Sequence, residues 1–441
     1  MHIVVLNRCY PPEVGATGRV IRDLAWVWAR HHRVTVLTGR PSDGPERHPY
    51  YLLRREMDGG VFVERVGSTA FPRRHMAGRL ADYLTYMVLA FVRGLFLRPK
   101  PDVVVAMTDP PLASLVGVLI GKIRRVRYVY NIRDLHPDMA VAAGIAPNGW
   151  FVRLWESVHR WTLRQANRVV VLGEDMRDRV VAKGVAPERV AVVWDGAPKM
   201  EPPPDGDSHP VVGALRDGFS FVVMYAGNMG WAGAWDSLLI ALMRCREPGL
   251  GFVFVGDGSM RPRIEQRING QPNVRMFPYF PEADLPYVLS AADLHVVTLR
   301  RGLEGLVIPS KVYSILMVGR PILAVVPEAS EVARIVREHR CGIVVDPDDP
   351  EAIRQAILWA RDHRDALREM GERARRVGER FDRAVLAEQL LQEVTGDGVL
   401  RYADSPFTGT GLLDLYRYAS PGYGGIHTPR IHSAGARPGV S

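Results

Sequence analysis

The sequence predicts an α/β protein of two Rossmann-like domains, each a doubly wound parallel sheet, facing one another across a cleft. Short apolar runs alternate with longer helical patterns along most of the chain, and a proline-rich segment separates two such series. The 441 residues, 47% of them hydrophobic, can bury two cores and exceed one ordinary domain. Ligands of such sheets bind outside the carboxyl ends of the strands, so we expect the site in the cleft.

Each series of apolar runs predicts one sheet. The first comprises residues 2–6, 34–37, 61–66, 103–107, 127–131, 168–171 and 190–193. The second comprises residues 221–225, 252–255, 273–277, 294–298, 322–326 and 342–345. We therefore expect a first domain at 1–196 and a second at 220–396, which closes with charged, periodic helices from residue 349.

The segment 197–219 contains Pro202, Pro203 and Pro204 in succession and has little periodicity, which predicts an interdomain linker. Residues 397–441 are rich in Gly, Pro and Ser, and we expect them to be largely disordered. The three cysteines are scattered and odd in number, which favours a reducing compartment over a disulfide or zinc framework. The chain starts in a strand-like run without a signal peptide, so we expect a cytoplasmic protein.

Positive charge is concentrated in the first domain. Residues 1–196 hold 29 Lys and Arg against 18 Asp and Glu, a net +11, whereas the remainder has a net −2. Two basic clusters flank the apolar stretches 80–97 and 112–120: Arg73, Arg74 and Arg79, and Lys122, Arg124, Arg125 and Arg127. This pattern suits attraction to an anionic bilayer surface, but also two core helices with solvated basic ends. Nucleic acid is disfavoured, because no binding motif accompanies the basic residues.

The segment LEGLVIPSKVYSILMVGRP, residues 303–321, combines a carboxylate, a Pro-Ser-Lys turn and a helix start. A helix beginning near Ser310 would point free N–H groups and its positive dipole end at a ligand, and Lys311 would add a full charge. This arrangement suits a diphosphate, and Glu304 could accept hydrogen bonds from ribose or sugar hydroxyls. The alternative is a buried amphipathic helix with a surface lysine.

The loop after the first strand carries Gly15 and Gly18, which would let the backbone approach a ligand at the cleft. This spacing is not the GxGxxG fingerprint. Thr38, Gly39 and Arg40 after the second strand also supply no acidic ribose ligand, so NAD binding is disfavoured.

The segments YPPEVGATGR, WDG, YAGNMG, GDGS and PSKVYSILMVGRP, taken together, resemble the family 4 glycosyltransferases of the GT-B fold. RDLHPD at 133–138, preceded by TDPP, is similar to the branch that builds bacterial surface polysaccharides, such as the acetylfucosamine and colanic-acid transferases. The resemblance covers about residues 1–395. It implies retaining transfer, without a metal cofactor, from a nucleotide-sugar, most often UDP-linked, to a polyprenyl-diphosphate-linked glycan at the inner face of the membrane.

By this resemblance, the second domain would hold the donor through Asn228, Gly256, Asp257, Gly258, Phe277, Pro278, Tyr279, Glu304, Ser310 and Lys311. The Gly256 turn would admit the nucleotide, the stretch from Phe277 would border its base, and Lys311 would neutralise the diphosphate. In the first domain, Asp134 would lie near the transferred sugar, with Arg133, His136 and Asp109 on the acceptor side. A salt-bridged turn leading into the next helix is the alternative for this segment.

The sequence also departs from the family pattern. Leu306 and Ser314 stand where many members carry a pair of glutamates, and Asn228 and Gly233 stand where a basic pair is usual. Diphosphate binding would then depend on Lys311, with Arg300 or Arg301 as possible helpers. Two other functions therefore stay open: a nucleotide-sugar 2-epimerase, and a non-catalytic nucleotide-sugar-binding partner.

Asp346 and Asp348 resemble a metal-binding carboxylate pair of a different transferase fold. They lie between a predicted strand and a predicted helix, where acidic residues commonly cap the helix N-terminus. We therefore interpret them as capping residues and expect no metal site.

Overall fold

The structure is a computed structural model that describes residues 1–13, 16–41, 50–71, 76–201 and 208–396. It contains the two parallel-sheet domains that the sequence predicts. Gly15, Arg73, Arg74, the three linker prolines and the predicted tail 397–441 lie outside the described residues.

Eight strands form the first sheet: β1 (His2–Leu6), β2 (Arg33–Thr38), β3 (Leu53–Asp58), β4 (Val61–Val66), β5 (Val103–Ala106), β6 (Arg127–Asn131), β7 (Arg168–Val171) and β8 (Val190–Val192). Their order is β3-β4-β2-β1-β5-β6-β7-β8, with only β3 antiparallel to its neighbour. Strand β3 was not among the predicted strands. Its LRREMD sequence has no apolar run because it forms an exposed edge hairpin with β4.

The helices of the first domain are α1 (Ala16–Ala29), α2 (Met76–Leu95), α3 (Ala113–Arg124), α4 (Asp138–Ala142), α5 (Trp150–Gln165) and α6 (Glu174–Ala182). Helix α3 packs between α2 and α5 and against β5 and β6. Most of the apolar stretch 112–120 is buried there, so the core-helix interpretation is correct for α3. Among the described residues, no helix is long and apolar enough to cross a membrane.

Six parallel strands form the second sheet: β9 (Phe221–Ala226), β10 (Leu250–Val255), β11 (Val274–Phe277), β12 (Leu294–Thr298), β13 (Ile322–Val325) and β14 (Gly342–Val345). Their order is β11-β10-β9-β12-β13-β14. The helices of the second domain are α7 (Pro210–Arg216), α8 (Trp235–Arg244), α9 (Arg261–Ile268), α10 (Leu285–Ser290), α11 (Lys311–Met317), α12 (Glu331–His339), α13 (Pro350–Asp362) and α14 (Arg364–Gly378). Helix α7 lies within the segment predicted as linker.

The last described helix, α15 (Arg383–Thr395), returns to the first domain. Trp28 donates its indole N–H to the carbonyl of Ala387 at 2.8 Å, and Arg383 forms a 2.7 Å ion pair with the buried carboxylate of Asp23. This helix was predicted to belong to the second domain, because its periodicity shows that it packs but not on which surface. The Ala197 N–H donates to the Phe381 carbonyl and the Arg383 N–H donates to the Ala197 carbonyl, both at 2.9 Å, and these bonds join the two segments that cross between domains.

The two domains also meet where the N-termini of α6 and α12 face each other. One carboxylate oxygen of Asp175 accepts hydrogen bonds from the backbone N–H groups of Gly305 and Glu331, both at 2.9 Å. In return, Glu331 accepts from the Glu174 N–H at 3.1 Å and from the Trp194 indole at 2.7 Å. Burial raises the pKa of Asp175. The positive ends of two helix dipoles stabilise these carboxylates, and the contact fixes the second domain against the first.

We predict that Asp175→Ala lowers the free energy of unfolding by about 2 kcal/mol, because the N–H groups of Gly305 and Glu331 lose their acceptor. Urea denaturation measures the change. Asp178→Ala, at an exposed position of the same helix, is the matched control and should be nearly neutral. Equal stabilities of the two variants would contradict the role of this contact.

Candidate active site in the interdomain cleft

The loops that follow β9 and β10 approach each other closely at the carboxyl edge of the second sheet. Gly256 has φ +131°, and a Cβ there would lie 2.2 Å from the Gly227 carbonyl oxygen. Gly258 has φ +152°, and a Cβ there would lie 2.5 Å from the Asn228 side-chain oxygen. Both positions therefore require glycine. The structure brings together Asn228, Gly256 and Gly258, as their positions after two strands predict.

Hydrogen bonds hold the Asp257 turn in shape. The Asp257 carboxylate accepts from the Gly258 N–H at 2.7 Å. Arg261, at the start of α9, donates to the carbonyl of Gly256 at 2.5 Å and to that of Phe277 at 3.3 Å. The Phe277 carbonyl also accepts from the Gly256 N–H at 3.0 Å. These bonds tie the β10 turn to the end of β11.

The exposed residues after β11 are Pro278 and Tyr279. The Tyr279 side chain is 56% exposed, and its ring edge would lie 3.3 Å from a Cβ at Gly256. Because the Phe277 carbonyl is already bonded to Gly256 and Arg261, the Tyr279 ring is the accessible surface of this stretch. It can pack against a flat group entering beside the glycine turn.

Lys311 lies beside the same loops at the first residue of α11. Its Nζ lies 3.3 Å from the centroid of the Tyr225 ring and would lie 3.4 Å from a Cβ at Gly227. Burial lowers the pKa of Lys311 well below its usual range. Within the described ranges no carboxylate forms a salt bridge with this ammonium, which is held by a cation–π contact. An anion bound at the glycine turn would favour its charged form.

The loop between β12 and α11 carries Glu304 and ends at the exposed Ser310. The Glu304 carboxylate accepts a hydrogen bond from the Gly302 N–H at 2.8 Å. This bond uses one carboxylate oxygen for the loop itself. The second oxygen stays available to a ligand hydroxyl.

The two arginines of this loop are engaged elsewhere. Arg300 lies 4.7 Å from the Trp231 ring centroid and donates to the carbonyl of Ala142. Arg301 pairs with Asp346 and Asp348, each at 2.7 Å, at the exposed edge of the domain. Arg301 is therefore already paired with two carboxylates at the surface, and its assistance to Lys311 stays a prediction. In the part of the chain that the structure describes, no group of His, Cys, Asp or Glu side chains is arranged to hold a metal ion.

The first-domain loop after β6 lies directly against the Glu304 loop. The Leu135 N–H donates to the Leu306 carbonyl across the cleft at 2.9 Å. Asp134 and Glu304 thus lie within two residues of a bond that joins the domains. Leu306 is buried, and its main-chain carbonyl makes this contact.

Asp134 has an unusual electrostatic environment. Burial raises its pKa to about 6, while Arg133 opposes the rise and the charges of Asp195 and Asp109 add to it. Arg133 is itself buried in an ion pair with Asp195. Asp134 can therefore gain or lose a proton near neutral pH, as a general acid or base does.

His136 and Asp109, which were predicted on the same side of the cleft as Asp134, have different partners. The His136 ring stacks on Trp155 of α5 with centroids 5.7 Å apart, and burial lowers its pKa to about 4. His136 is thus a neutral packing residue that ties the loop to α5. Asp109, after β5, has its carboxylate 3.8 Å from the guanidinium of the buried Arg8, and the Arg8 backbone N–H donates to the Asp109 carbonyl at 2.7 Å.

Two models of known families match the chain in tandem. A glycosyl transferase 4-like domain matches residues 15–196, and a domain described as glycosyl transferases group 1 matches residues 220–363. The two matches follow the two sheets in order and together span most of the chain. The chain is a glycosyltransferase.

Curated relatives of this glycosyltransferase carry related names. It is 26% identical over 420 residues to the Escherichia coli protein WcaI, named as a colanic acid biosynthesis glycosyl transferase, with 90% of this chain and all of WcaI covered. It is 28% identical over 295 residues to WbjE of Pseudomonas aeruginosa, named as a glycosyltransferase, with 65% of this chain and 74% of WbjE covered.

Solved structures share its fold. HepE of Anabaena, in complex with UDP and glucose, superposes with a TM-score of 0.67 at 18% identity, covering 90% of this chain and all of HepE. WaaG, a glycosyltransferase involved in lipopolysaccharide biosynthesis, has a TM-score of 0.60 at 18% identity, with 89% and 100% covered. The glycosyltransferase therefore has the GT-B fold that the sequence predicts.

Three site residues of the glycosyltransferase were missed by the sequence analysis. Asp195 neutralises Arg133, Tyr225 supports Lys311, and Asp175 fixes the Glu304 loop to the first domain. Asp195 lies in the WDG segment, to which the resemblance assigned no role in the site. A buried arginine at a strand end requires a carboxylate partner, and this requirement was the available signal.

We predict that Asp134→Asn raises the melting temperature of the glycosyltransferase at pH 8 but not near pH 4. A carboxyl whose folded-state pKa is raised destabilises the fold progressively as pH rises from its ordinary value towards 6. The amide removes this penalty. Calorimetry of both proteins across the pH range measures the difference. Asp178→Asn controls for loss of one charge, and an equal gain at both pH values would contradict the prediction.

Proposed function

We propose that this glycosyltransferase moves a sugar, with retention of configuration, from a UDP-sugar to a polyprenyl-diphosphate-linked glycan in bacterial surface-polysaccharide synthesis. The observation that carries the donor part is Lys311, an ammonium held on an aromatic ring beside a glycine turn. A diphosphate is the group that suits this position, because it brings negative charge to a desolvated cation.

The donor would lie across the carboxyl edge of the second sheet. Its diphosphate would contact Lys311 and Ser310, its ribose or sugar hydroxyls Glu304, and its base the surface formed by Tyr279 and the Asp257 turn. UDP in the complex of HepE, which shares this fold, supports a uridine donor. The names of WcaI and WaaG support a surface-polysaccharide product.

Catalysis would consist mainly of stabilising the departing diphosphate. Fixed donors aimed at developing charge in a desolvated cleft contribute a few kcal/mol each. Asp134, on the opposite wall, would orient the acceptor hydroxyl or stabilise positive charge at the sugar. Each of these roles is performed by a protein side chain, so we propose that no metal is needed.

The acceptor would approach from the first domain, past Asp109, Arg133 and His136. We place the enzyme at the inner face of the cell membrane, bound peripherally to anionic lipid. The excess of positive charge in the first domain, net +11 over residues 1–196, supports this placement.

We predict that Lys311→Ala reduces sugar transfer by roughly tenfold or more, because the diphosphate loses its main cation. Lys311→Arg should retain part of the activity. Single-turnover rates with a UDP-sugar and a membrane extract as acceptor source measure the effect. Near-wild-type turnover of a folded Lys311→Ala protein would remove this residue from the mechanism.

We also predict a selective rise in melting temperature with UDP and UDP-sugars compared with GDP, dTDP and the negative control NAD. A ligand at 100 times its dissociation constant stabilises a fold by about 2.7 kcal/mol. Gly258→Ala should abolish the rise, because its Cβ would meet the Asn228 side chain and the Met229 carbonyl. Binding of UDP without transfer to any lipid-linked acceptor would instead support the non-catalytic partner, and loss of sugar without an acceptor would support the epimerase.

A further inference from the structure

Exposed apolar side chains are concentrated on one side of the first domain. Of the nineteen large hydrophobic residues that are exposed among the described residues, ten lie on α2, α3 and α5 or directly beside them. We call this set the apolar face: Leu80, Leu84, Val88, Val92, Phe96, Ile123, Trp150, Phe151, Leu154 and Trp161. A contiguous apolar surface outside the core marks an interaction site.

Helix α2 contributes a regular stripe. Its exposed members recur every fourth residue from Leu80 to Val92, so they lie along one side of the helix over about 18 Å, and Phe96 continues the spacing just beyond its end. The opposite side of α2 is buried, with Asp82, Tyr86 and Ala90 in the interior. The stripe is therefore additional to the face that α2 uses for the core.

Helix α5 contributes large aromatic side chains. Trp150 is 77% exposed and Phe151 57%, at the end of α5 that follows the loop carrying Asp134 and His136. The Nζ of Lys122 on α3 lies 5.0 Å from the Trp161 ring centroid, which connects the two helices at the surface. Exposed tryptophan and phenylalanine beside cationic side chains are typical of the interfacial region of a bilayer.

The charges around the apolar face favour an anionic partner. The three helices carry Arg79, Arg93, Lys122, Arg124, Arg153, Arg160 and Arg164 against only Asp82 and Glu156. Asp82 is buried and accepts from the Phe71 N–H, and Glu156 is bound by Lys183 and Arg160. Arg93 is itself paired with Glu64 of β4 at 2.6 Å, so the positive charge of the face comes from Arg79, Lys122, Arg124, Arg153 and Arg164.

A basic recess adjoins Phe96 at the end of the stripe. It has a volume of about 430 Å³, and its lining includes Arg98, Lys100 and Arg124. Three cations around a recess of this size suit the phosphate of a lipid headgroup, while Phe96 beside them suits the acyl boundary.

We propose that the apolar face docks on an anionic bilayer, with α2 and α5 in the headgroup region and a lipid phosphate at the basic recess. This inference rests on the proposed function in one respect, namely that the acceptor is linked to a lipid. Helices that follow β4 and β6 begin at the carboxyl edge of the sheet, so Leu80 and Trp150 lie at the cleft end of the face. A lipid-linked diphosphate in the same bilayer would then lie next to the opening that leads to Asp109 and Asp134.

The test is sedimentation of the full chain with vesicles of phosphatidylglycerol and phosphatidylcholine, compared with phosphatidylcholine alone. We expect binding to the anionic vesicles that weakens with salt. The triple variant Leu84→Ser, Val88→Ser and Trp150→Ser should bind them roughly tenfold more weakly or worse. Trp359→Ser, at an exposed tryptophan of the second domain, is the matched control and should bind as wild type.

Two further measurements separate the outcomes. The UDP-induced rise in melting temperature should be unchanged in the triple variant, which reports an intact fold and donor site independently of docking.

Vesicle binding that persists in the triple variant, or that is absent in wild type, would overturn the docking proposal. A change from dimer to monomer in the triple variant, without vesicle binding by wild type, would assign the face to a second copy of the chain. Vesicle binding without a response to any nucleotide would overturn the proposed function alone.

Discussion

The cleft depends on two carboxylates buried between facing helix ends. Asp175 and Glu331 each accept backbone N–H groups from the other domain, at the N-termini of α6 and α12. Burying a carboxylate without partners would destabilise the fold, but two helix dipoles, at least two N–H donors per carboxylate and, for Glu331, the Arg334 guanidinium compensate the lost hydration. Since Asp175 also binds Gly305, the same contact determines where the Glu304 loop stands relative to the Asp134 loop.

The two walls of the cleft differ in how their charges are held. On the second-domain wall, Lys311 rests on an aromatic ring, and burial lowers its pKa. On the first-domain wall, Asp134 sits beside a neutralised arginine, and burial raises its pKa. Each wall therefore has one ionisable group whose pKa burial shifts towards its neutral form, so the protonation of both groups responds to a charged ligand in the cleft.

Much of this arrangement could be predicted from local sequence. Asn228, Gly256 and Gly258 follow predicted strands, and strand ends of one parallel sheet meet at one edge, so their convergence follows from the alternating pattern. The partners Tyr225 and Asp195, and the pairing of Arg301 with Asp346, depend on contacts between distant segments that periodicity does not encode. The edge strand β3 could not be predicted in the same way, because an exposed hairpin lacks the apolar run of a buried strand.

The first domain is completed by α15, the last described helix of the chain. Trp28 and Asp23, near the beginning of the chain, take their partners from Ala387 and Arg383 near the end. During synthesis, the surface of α1 that packs on α15 therefore stays uncovered until nearly four hundred residues have been translated. The first domain can complete its core only after every strand of the second sheet has left the ribosome.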